Sequence, residues 1–393
     1  MISFVLSSYE GTQMTSHRAP VPAHVRIGAA LGLLLLSPIC AEYLIGYDQI
    51  ISHPIEMLTG LLVLGPLYGT VAVLIREAAR RTGRGWPTML LLSAAFGLIQ
   101  AGLVDQSLFN PDFVLEASWD HDRLPTFIAE LGISVKHVVG FVGGHIIWSF
   151  CAPIGVVESC VPRIADRPWL GRLSITAMIV LYGLGALVIF KEHSEQFLAT
   201  PAQLGSITLF ALALIVIAFT VPQRSRRQGS EGRVPPPWAV GGGIVVLLGV
   251  HQLSSPGWGG AALNITALTL AGGALLRWSR RAEWGRPHVL AACGAALVVN
   301  AALSFAVEPL GETSLVAKYG ANAALMIVVL VLLGWARQRL RPTIARPFHA
   351  RPAQASRDQE DRQVQTGRTG PSLFDPEPDQ AGGGRFNPGP GSR

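Results

Sequence analysis

Charge is scarce in this chain. Only 14% of its 393 residues are Asp, Glu, Lys or Arg, where soluble domains carry about a quarter. Half of the residues are hydrophobic and the mean hydropathy is +0.40, which excludes a water-soluble domain for most of the length. Lysine is scarcer still: only Lys136, Lys191 and Lys318 stand among 31 basic residues. The four cysteines, Cys40, Cys151, Cys160 and Cys293, form no CxxC pair, so neither a zinc ribbon nor a disulfide framework is indicated. Residues 1–23 have no small-residue cleavage site ahead of the first long apolar run, so no cleaved signal is expected, and Met1 and Met14 remain alternative starts. No loop is long enough for a separate soluble domain. No internal repeat of the kind that marks many transporters is visible.

What is present is a regular series of long apolar runs. They lie at 27–47, 55–75, 86–105, 137–157, 172–190, 203–221, 237–251, 259–276, 288–308 and 319–336. Each is near the length of about 20 residues that crosses a hydrocarbon core as a helix. None shows the alternation of a barrel strand, and helices satisfy their own backbone groups in lipid. The expected fold is an all-α, polytopic transmembrane bundle of about ten helices.

Arginine placement orients it. Every second loop is basic: Arg76, Arg80, Arg81 and Arg84 follow the second run, Arg163, Arg167 and Arg172 the fourth, and Arg224, Arg226, Arg227 and Arg233 the sixth. Arg277, Arg280, Arg281 and Arg286 follow the eighth, and Arg337, Arg339 and Arg341 the tenth. The intervening loops are poor in positive charge, and the one after the third run is acidic (Asp112, Glu116, Asp120, Asp122, Glu130). The positive-inside rule then places both termini in the cytoplasm and the protein in a bacterial cytoplasmic (inner) membrane. Aromatic residues near the run ends, Tyr47, Trp86, Trp169, Trp238, Trp258, Trp278, Tyr319 and Trp335, fit the interfacial belts. The net charge of +6 resides in these loops, so nucleic acid is not an expected partner. The expected division is a cytoplasmic segment 1–23, a transmembrane domain 24–342 and a disordered cytoplasmic tail 343–393 rich in Pro, Gly, Gln, Arg and Asp.

Ionisable and helix-distorting residues concentrate in 24–170. Runs five to ten have no internal proline; their polar residues (Asn264, Thr266, Asn300, Asn322) suit hydrogen bonds between helices. In the first four runs, Pro38, Pro66 and Pro153 are candidate helix breaks that would free the carbonyls of Leu34, Leu62 and Ser149. Broken helices at mid-membrane are where transporters build sites. Glu42, Gln100, Asp105, His137 and His145 all fall in the outer half of the bilayer by this orientation. An ionisable group there is costly unless it faces protein or water, which makes these five the ligand-binding candidates. Glu42, Asp105 and His145 are also a conceivable ligand set for a metal, but sequence cannot show convergence, and neither a metal site nor any cofactor is predicted. The loop 106–136 mixes Phe109, Phe113, Trp119 and Phe127 with acids, which suits a folded outer cap. An Arg76–Glu158 pair at the inner face is expected to be structural.

The segments SPICAEYLIGYD (37–48), GPLYG (65–69), LIREAARRTGRGWP (74–87) and AFGLIQAGLVDQSLFNP (95–111) resemble uncharacterised multi-pass membrane proteins of high-GC bacteria. That resemblance implies location and no activity. LLSAAFGLIQ at 91–100 is also similar to a helix of CAAX-protease-like membrane metalloproteases. That family's paired glutamates are missing here, Gln100 stands where its histidine would, and no asparagine completes its last motif around His145 and Ser149. No catalytic role is carried over. The function classes left are a permease-like or ligand-binding protein with an outward-facing polar cavity, a membrane-embedded and possibly metal-dependent enzyme, and a structural partner of another membrane protein. The expected partners are the lipid bilayer and either a small-molecule ligand or a membrane protein.

Overall fold

The structure is a computed structural model that describes residues 21–47, 53–114, 117–221, 232–308 and 314–341. Most of the expected N-terminal segment and the tail 343–393 lie outside the described residues. So do Asp48, Glu116 and the arginines at 224, 226 and 227.

Nine apolar helices are long enough to cross a bilayer: α1 (Ala23–Tyr43), α2 (Ile55–Arg81), α3 (Trp86–Val104), α5 (Val135–Cys160), α6 (Arg172–Ser194), α7 (Pro201–Thr220), α9 (Trp258–Ser279), α10 (Arg286–Leu303) and α11 (Leu315–Leu340). A shorter apolar helix, α8 (Pro237–Gln252), makes ten spans among the described residues. The remaining helix, α4 (Ala117–Arg123), belongs to the loop between α3 and α5. The helices match the apolar runs to within a few residues, except that α2 runs on to Arg81 rather than 75 and α10 stops at Leu303 rather than 308. There Ser304 Oγ turns back to the Ala301 carbonyl at 2.7 Å and the chain enters a turn.

Large apolar side chains such as Ile179, Leu184, Leu209, Phe210, Val328 and Val331 are exposed on the bundle surface. Apolar cover on this scale does not occur on soluble monomers, so these faces are lipid-facing. Helix α5 is central and packs on α1, α3, α9, α10 and α11. Around it lie, besides a smaller apolar core at Ala101, Phe109 and Ile207, two large ones. One holds Leu33, Val71, Ile75, Met89, Phe150 and Ile154 from α1, α2, α3 and α5. The other holds Cys40, Trp148, Val156, Ile244 and Leu297 and joins the second half of the bundle.

The basic loops gather at one end. Arg84 donates to the Val221 carbonyl at 2.8 Å, after α7. Arg286, opening α10, pairs with Asp166 in the loop after α5 at 2.5 Å. Arg339 donates to the Cys160 carbonyl at 3.2 Å, and Val234 N to Glu283 at 3.1 Å. The even-numbered loops are therefore on one side, as alternate crossings require.

At the opposite end the loop between α3 and α5 is folded. After α4, Phe127–Ile128 (β1) pairs antiparallel with Ile133–Ser134 (β2), with Phe127 opposite Ser134. The Thr126 and Ser134 hydroxyls bond at 2.9 Å, and Thr126 Oγ1 accepts from Lys136 N at 3.1 Å, fixing the entry into α5. Phe113 and Trp119 pack on Phe141 of α5. Phe113 also stacks on His193 of α6 at 5.2 Å. The aromatic residues thus bind this cap to two spans.

Candidate functional site

Each of the first four spans contains one widened, π-helical turn: Ile39–Tyr43 in α1, Gly65–Gly69 in α2, Gln100–Val104 in α3 and His145–Cys151 in α5. The later spans are regular among the described residues. In each widened turn the backbone bond reaches back five residues, as in Leu44 N to Ile39 O at 2.9 Å and Asp105 N to Gln100 O at 3.0 Å. Such turns are rare and collect at functional positions.

Proline explains where most of them form. A proline has no N–H for the carbonyl four residues back. Pro38 directly precedes the first turn, Pro66 lies in the second, and Pro153 follows the fourth. The helices continue through all three rather than unwinding. One freed carbonyl takes a side-chain donor and another meets a neighbouring backbone. Ser149 O, released by Pro153, accepts from Ser37 Oγ at 2.5 Å, while the same hydroxyl lies 3.2 Å from Tyr68 O. Leu34 O, released by Pro38, lies so close to Gly69 that a Cβ there would stand 2.0 Å from it. One buried hydroxyl and one glycine therefore join α1, α2 and α5.

The turns bring polar side chains together. Tyr68 of α2 is buried. The charges of Glu42 on α1 and Asp105 at the end of α3 act on its phenol. Its ring stacks on His145 of α5, with centroids 5.7 Å apart and planes 29° apart. Tyr47 OH donates to Glu42 Oε2. His145 Nδ1 lies 3.1 Å from Ser149 Oγ. Gln100 donates through Nε2 to Asp105 Oδ2 at 3.1 Å, and Ser107 N donates to Asp105 Oδ1 at 2.9 Å. Helix α6 completes the ring: His193 acts electrostatically on Asp105, and Asp105 on Tyr182. Gly97 lets α3 approach α5, since a Cβ there would stand 3.1 Å from His145 Cβ.

Four of the five sequence candidates, Glu42, Gln100, Asp105 and His145, thus share one neighbourhood. Glu42, Asp105 and His145 are each half-buried and Gln100 is buried. His137 stands apart, its ring 4.2 Å from that of Trp119 under the cap. No group of three or more His, Cys, Asp or Glu is arranged to hold a metal among the described residues. Tyr68, Ser37, Tyr182 and His193 are members that residue type alone did not disclose. A tyrosine at mid-span within GPLYG was the available signal for Tyr68. Next to the site, Gln106 adopts φ 57°, an uncommon conformation for a residue with a Cβ. Its Oε1 accepts from Ala199 N at 2.7 Å, tying the end of α3 to the start of α7.

Towards the basic end a second polar cluster closes the bundle. Arg76 is fully buried. It bonds Glu158 at 3.1 Å, Glu77 at 2.9 Å and the carbonyls of Ala165 and Arg167 at 2.7 and 2.9 Å. Its guanidinium lies 3.3 Å from the centre of the Trp169 ring. Arg80 makes two further bonds to Glu158, at 2.9 and 2.6 Å. Glu77 accepts from Trp169 N at 2.6 Å. Every member has partners, which is the pattern of a structural seal and not of an empty site. Arg76 lies eight residues beyond Tyr68, about 12 Å along α2.

The polar residues of the second half act between or within helices. Asn264 faces His251 at 3.2 Å, Asn322 donates to Ser304 O at 2.9 Å, and Asn300 donates to Cys40 O at 3.5 Å. Thr266 turns back onto its own helix at Ala262 O.

The model of an uncharacterized membrane protein family matches residues 31–346. No curated protein and no solved structure matches the chain.

Proposed function

The chain belongs to this uncharacterized membrane protein family, and we propose that it is a permease-like or ligand-binding protein whose site is the polar cluster of its first four spans. The carrying observation is that Glu42, Tyr68, Gln100 and His145 each lie on a widened turn of a different span, with the His145 ring stacked on Tyr68, Gln100 bonded to Asp105, and the charges of Glu42 and Asp105 acting on Tyr68. Acidic and imidazole groups at this depth are costly and are retained where they serve a pathway or a ligand. The arginine pattern supports an inner-membrane location, with the basic end cytoplasmic and the cap outside. In that orientation the site lies on the cap side of the Arg76 cluster, which closes the cytoplasmic side.

The test is complementation of a deletion strain scored for growth across a panel of ions, pH values and toxic small molecules. Glu42→Gln and His145→Ala lose complementation while the protein still reaches the membrane at the normal level. Full complementation by both variants refutes the reading. A stably co-purifying subunit together with indifference to both substitutions would assign a structural role instead.

A further inference from the structure

Charge in the first half of the chain is sorted by side. Residues 27–75, 86–122, 137–162 and 173–190 contain no lysine or arginine. The guanidiniums of α2 lie at the basic end, where Arg76 and Arg80 pair with Glu158. The two carboxylates of the polar cluster stand on the other side of that seal. Asp105 is held by uncharged donors, Gln100 Nε2 at 3.1 Å and Ser107 N at 2.9 Å, and Glu42 accepts from Tyr47 OH. Both carboxylates belong to half-buried residues that keep accessible surface. The cap adds charge of the same sign. Its Lys136 pairs with Asp122 and its Arg123 with Asp120, while Asp112 and Glu130 stand exposed. An acidic rim over an acidic site draws cations and repels anions.

One face of α3 gathers the rest of the site. Phe96, Gly97 and Gln100 share that face at helical spacing. The Phe96 ring meets the Tyr182 ring of α6 edge to face at 5.8 Å. Gly97 stands against His145 of α5, whose ring stacks on Tyr68 of α2 at 5.7 Å. Gln100, about 5 Å further along the helix, holds Asp105. The widened turn of α1 that carries Glu42 packs on the widened turn of α5 that carries His145. Carboxylates and aromatic rings thus border the same face. A carboxylate supplies a counter-charge and a ring supplies the negative face of its quadrupole, and both attract cations. No three His, Cys, Asp or Glu are arranged as metal ligands among the described residues, so the cation that fits is one held by charge and by ring surface together. Resting on the site reading above, we propose that the ligand of this site is an organic cation, an amine or a quaternary ammonium, whose charge is met by Asp105 and Glu42 and whose apolar body lies on the rings of Tyr68, His145, Phe96 and Tyr182.

The experiment is calorimetric titration of the full-length protein in lipid nanodiscs with benzyltrimethylammonium chloride, with empty nanodiscs subtracted and with benzoate and benzyl alcohol as the anionic and neutral counterparts. The ammonium binds saturably and the other two do not. Asp105→Asn weakens its binding about tenfold or more, the loss of one charged contact. Tyr68→Leu, which removes the ring and keeps an apolar side chain, weakens it about threefold to thirtyfold. Glu130→Gln, on the exposed cap, leaves it unchanged. No saturable binding of the ammonium, tighter binding of benzoate, or equal binding by wild type and Asp105→Asn overturns the proposal. Displacement of the ammonium by an equal concentration of sodium ions overturns the choice of an organic cation. If the variants do not fold, an aryl-azide derivative of the same ammonium is photolysed on the wild type. Its adduct falls on peptides carrying Tyr68, Phe96 or His145; labelling of lipid-facing peptides alone overturns the proposal. The two readings fail separately. Saturable binding with unimpaired complementation by Glu42→Gln and His145→Ala refutes the permease reading. Lost complementation with no binding of the ammonium refutes the cation and leaves the site.

Discussion

Glu158→Gln tests the seal at the basic end. The carboxylate accepts three bonds from two guanidiniums, those of Arg76 and Arg80, at 2.6 to 3.1 Å. Its side chain is 4% exposed and that of Arg76 is 0% exposed, so screening by solvent is slight. Glutamine keeps the shape but removes the negative charge and turns an N–H₂ towards donors. Arg76 then keeps Glu77 as its counter-charge at 2.9 Å, and Arg80 keeps Asp166 at 3.5 Å. Breaking a buried pair by removing one partner costs about 3–5 kcal/mol, or roughly two to three and a half powers of ten in the unfolding equilibrium. Denaturant titration in mixed micelles measures it, and the fluorescence of Trp169, stacked on Arg76, reports the local loss. A second variant sharpens the reasoning. Replacing both charges, in Arg76→Met with Glu158→Met, is often neutral for an isolated buried pair. Here Arg76 also donates to backbone carbonyls of the loop after α5, and each orphaned acceptor costs about 1–3 kcal/mol. The double variant therefore remains destabilised. A loss below about 1 kcal/mol in Glu158→Gln is the value of an exposed pair and would refute the burial of the cluster; a double variant as stable as the wild type would refute the carbonyl argument.

Three further perturbations separate packing from function. Gly69→Ala places a Cβ 2.0 Å from Leu34 O and forces α1 from α2, at a cost of about 1–3 kcal/mol; Gly65→Ala, with nothing within 4 Å, leaves the melting temperature unchanged or slightly raised, and equal effects at the two positions would contradict the close approach. Ser37→Ala strips the donor from Ser149 O and lowers stability by about 1–3 kcal/mol in the same denaturant titration; a neutral result would mean that another donor serves that carbonyl. Deleting Ala41 lets the turn 39–43 close to a regular helix, which moves Glu42 by one position and turns it by about 100°; the protein still inserts but fails complementation as Glu42→Gln does, and full complementation would show that the widened turn does not place the carboxylate.

The spans were legible because hydrocarbon tolerates no unsatisfied backbone, so length and apolarity alone mark a crossing helix. The sharing of one end by the basic loops was legible for a related reason, since ten alternate crossings put every second loop together. The pairing of Arg76 with Glu158 followed from charges at the ends of adjacent spans, but its depth did not. Nothing in the sequence around Arg76 says that Trp169 and the carbonyls of a loop some 90 residues on would enclose it. The prolines gave the location of three distortions but not their form. The turn in α3 has no proline and left no comparable mark. Tyr68 escaped notice because a tyrosine in an apolar run is ordinarily packing, and only the neighbours supplied by α1, α3 and α5 make its phenol part of a polar cluster.

The widened turns also bear on why the two halves of the bundle differ. A turn that reaches back five residues leaves one carbonyl without its usual partner, and in lipid such a group costs several kcal/mol. The chain answers this locally. Pro66 O accepts from Thr70 Oγ1 at 2.5 Å, Ala101 O from Leu108 N at 3.0 Å, and Cys40 O from Asn300 Nδ2 at 3.5 Å. The last of these comes from α10, in the half that is otherwise regular. Asn300 thus links the regular half to the distorted one at the turn that carries Glu42. The second half of the bundle therefore braces the turn that carries Glu42, while the turns of α2 and α3 find their donors within the first half.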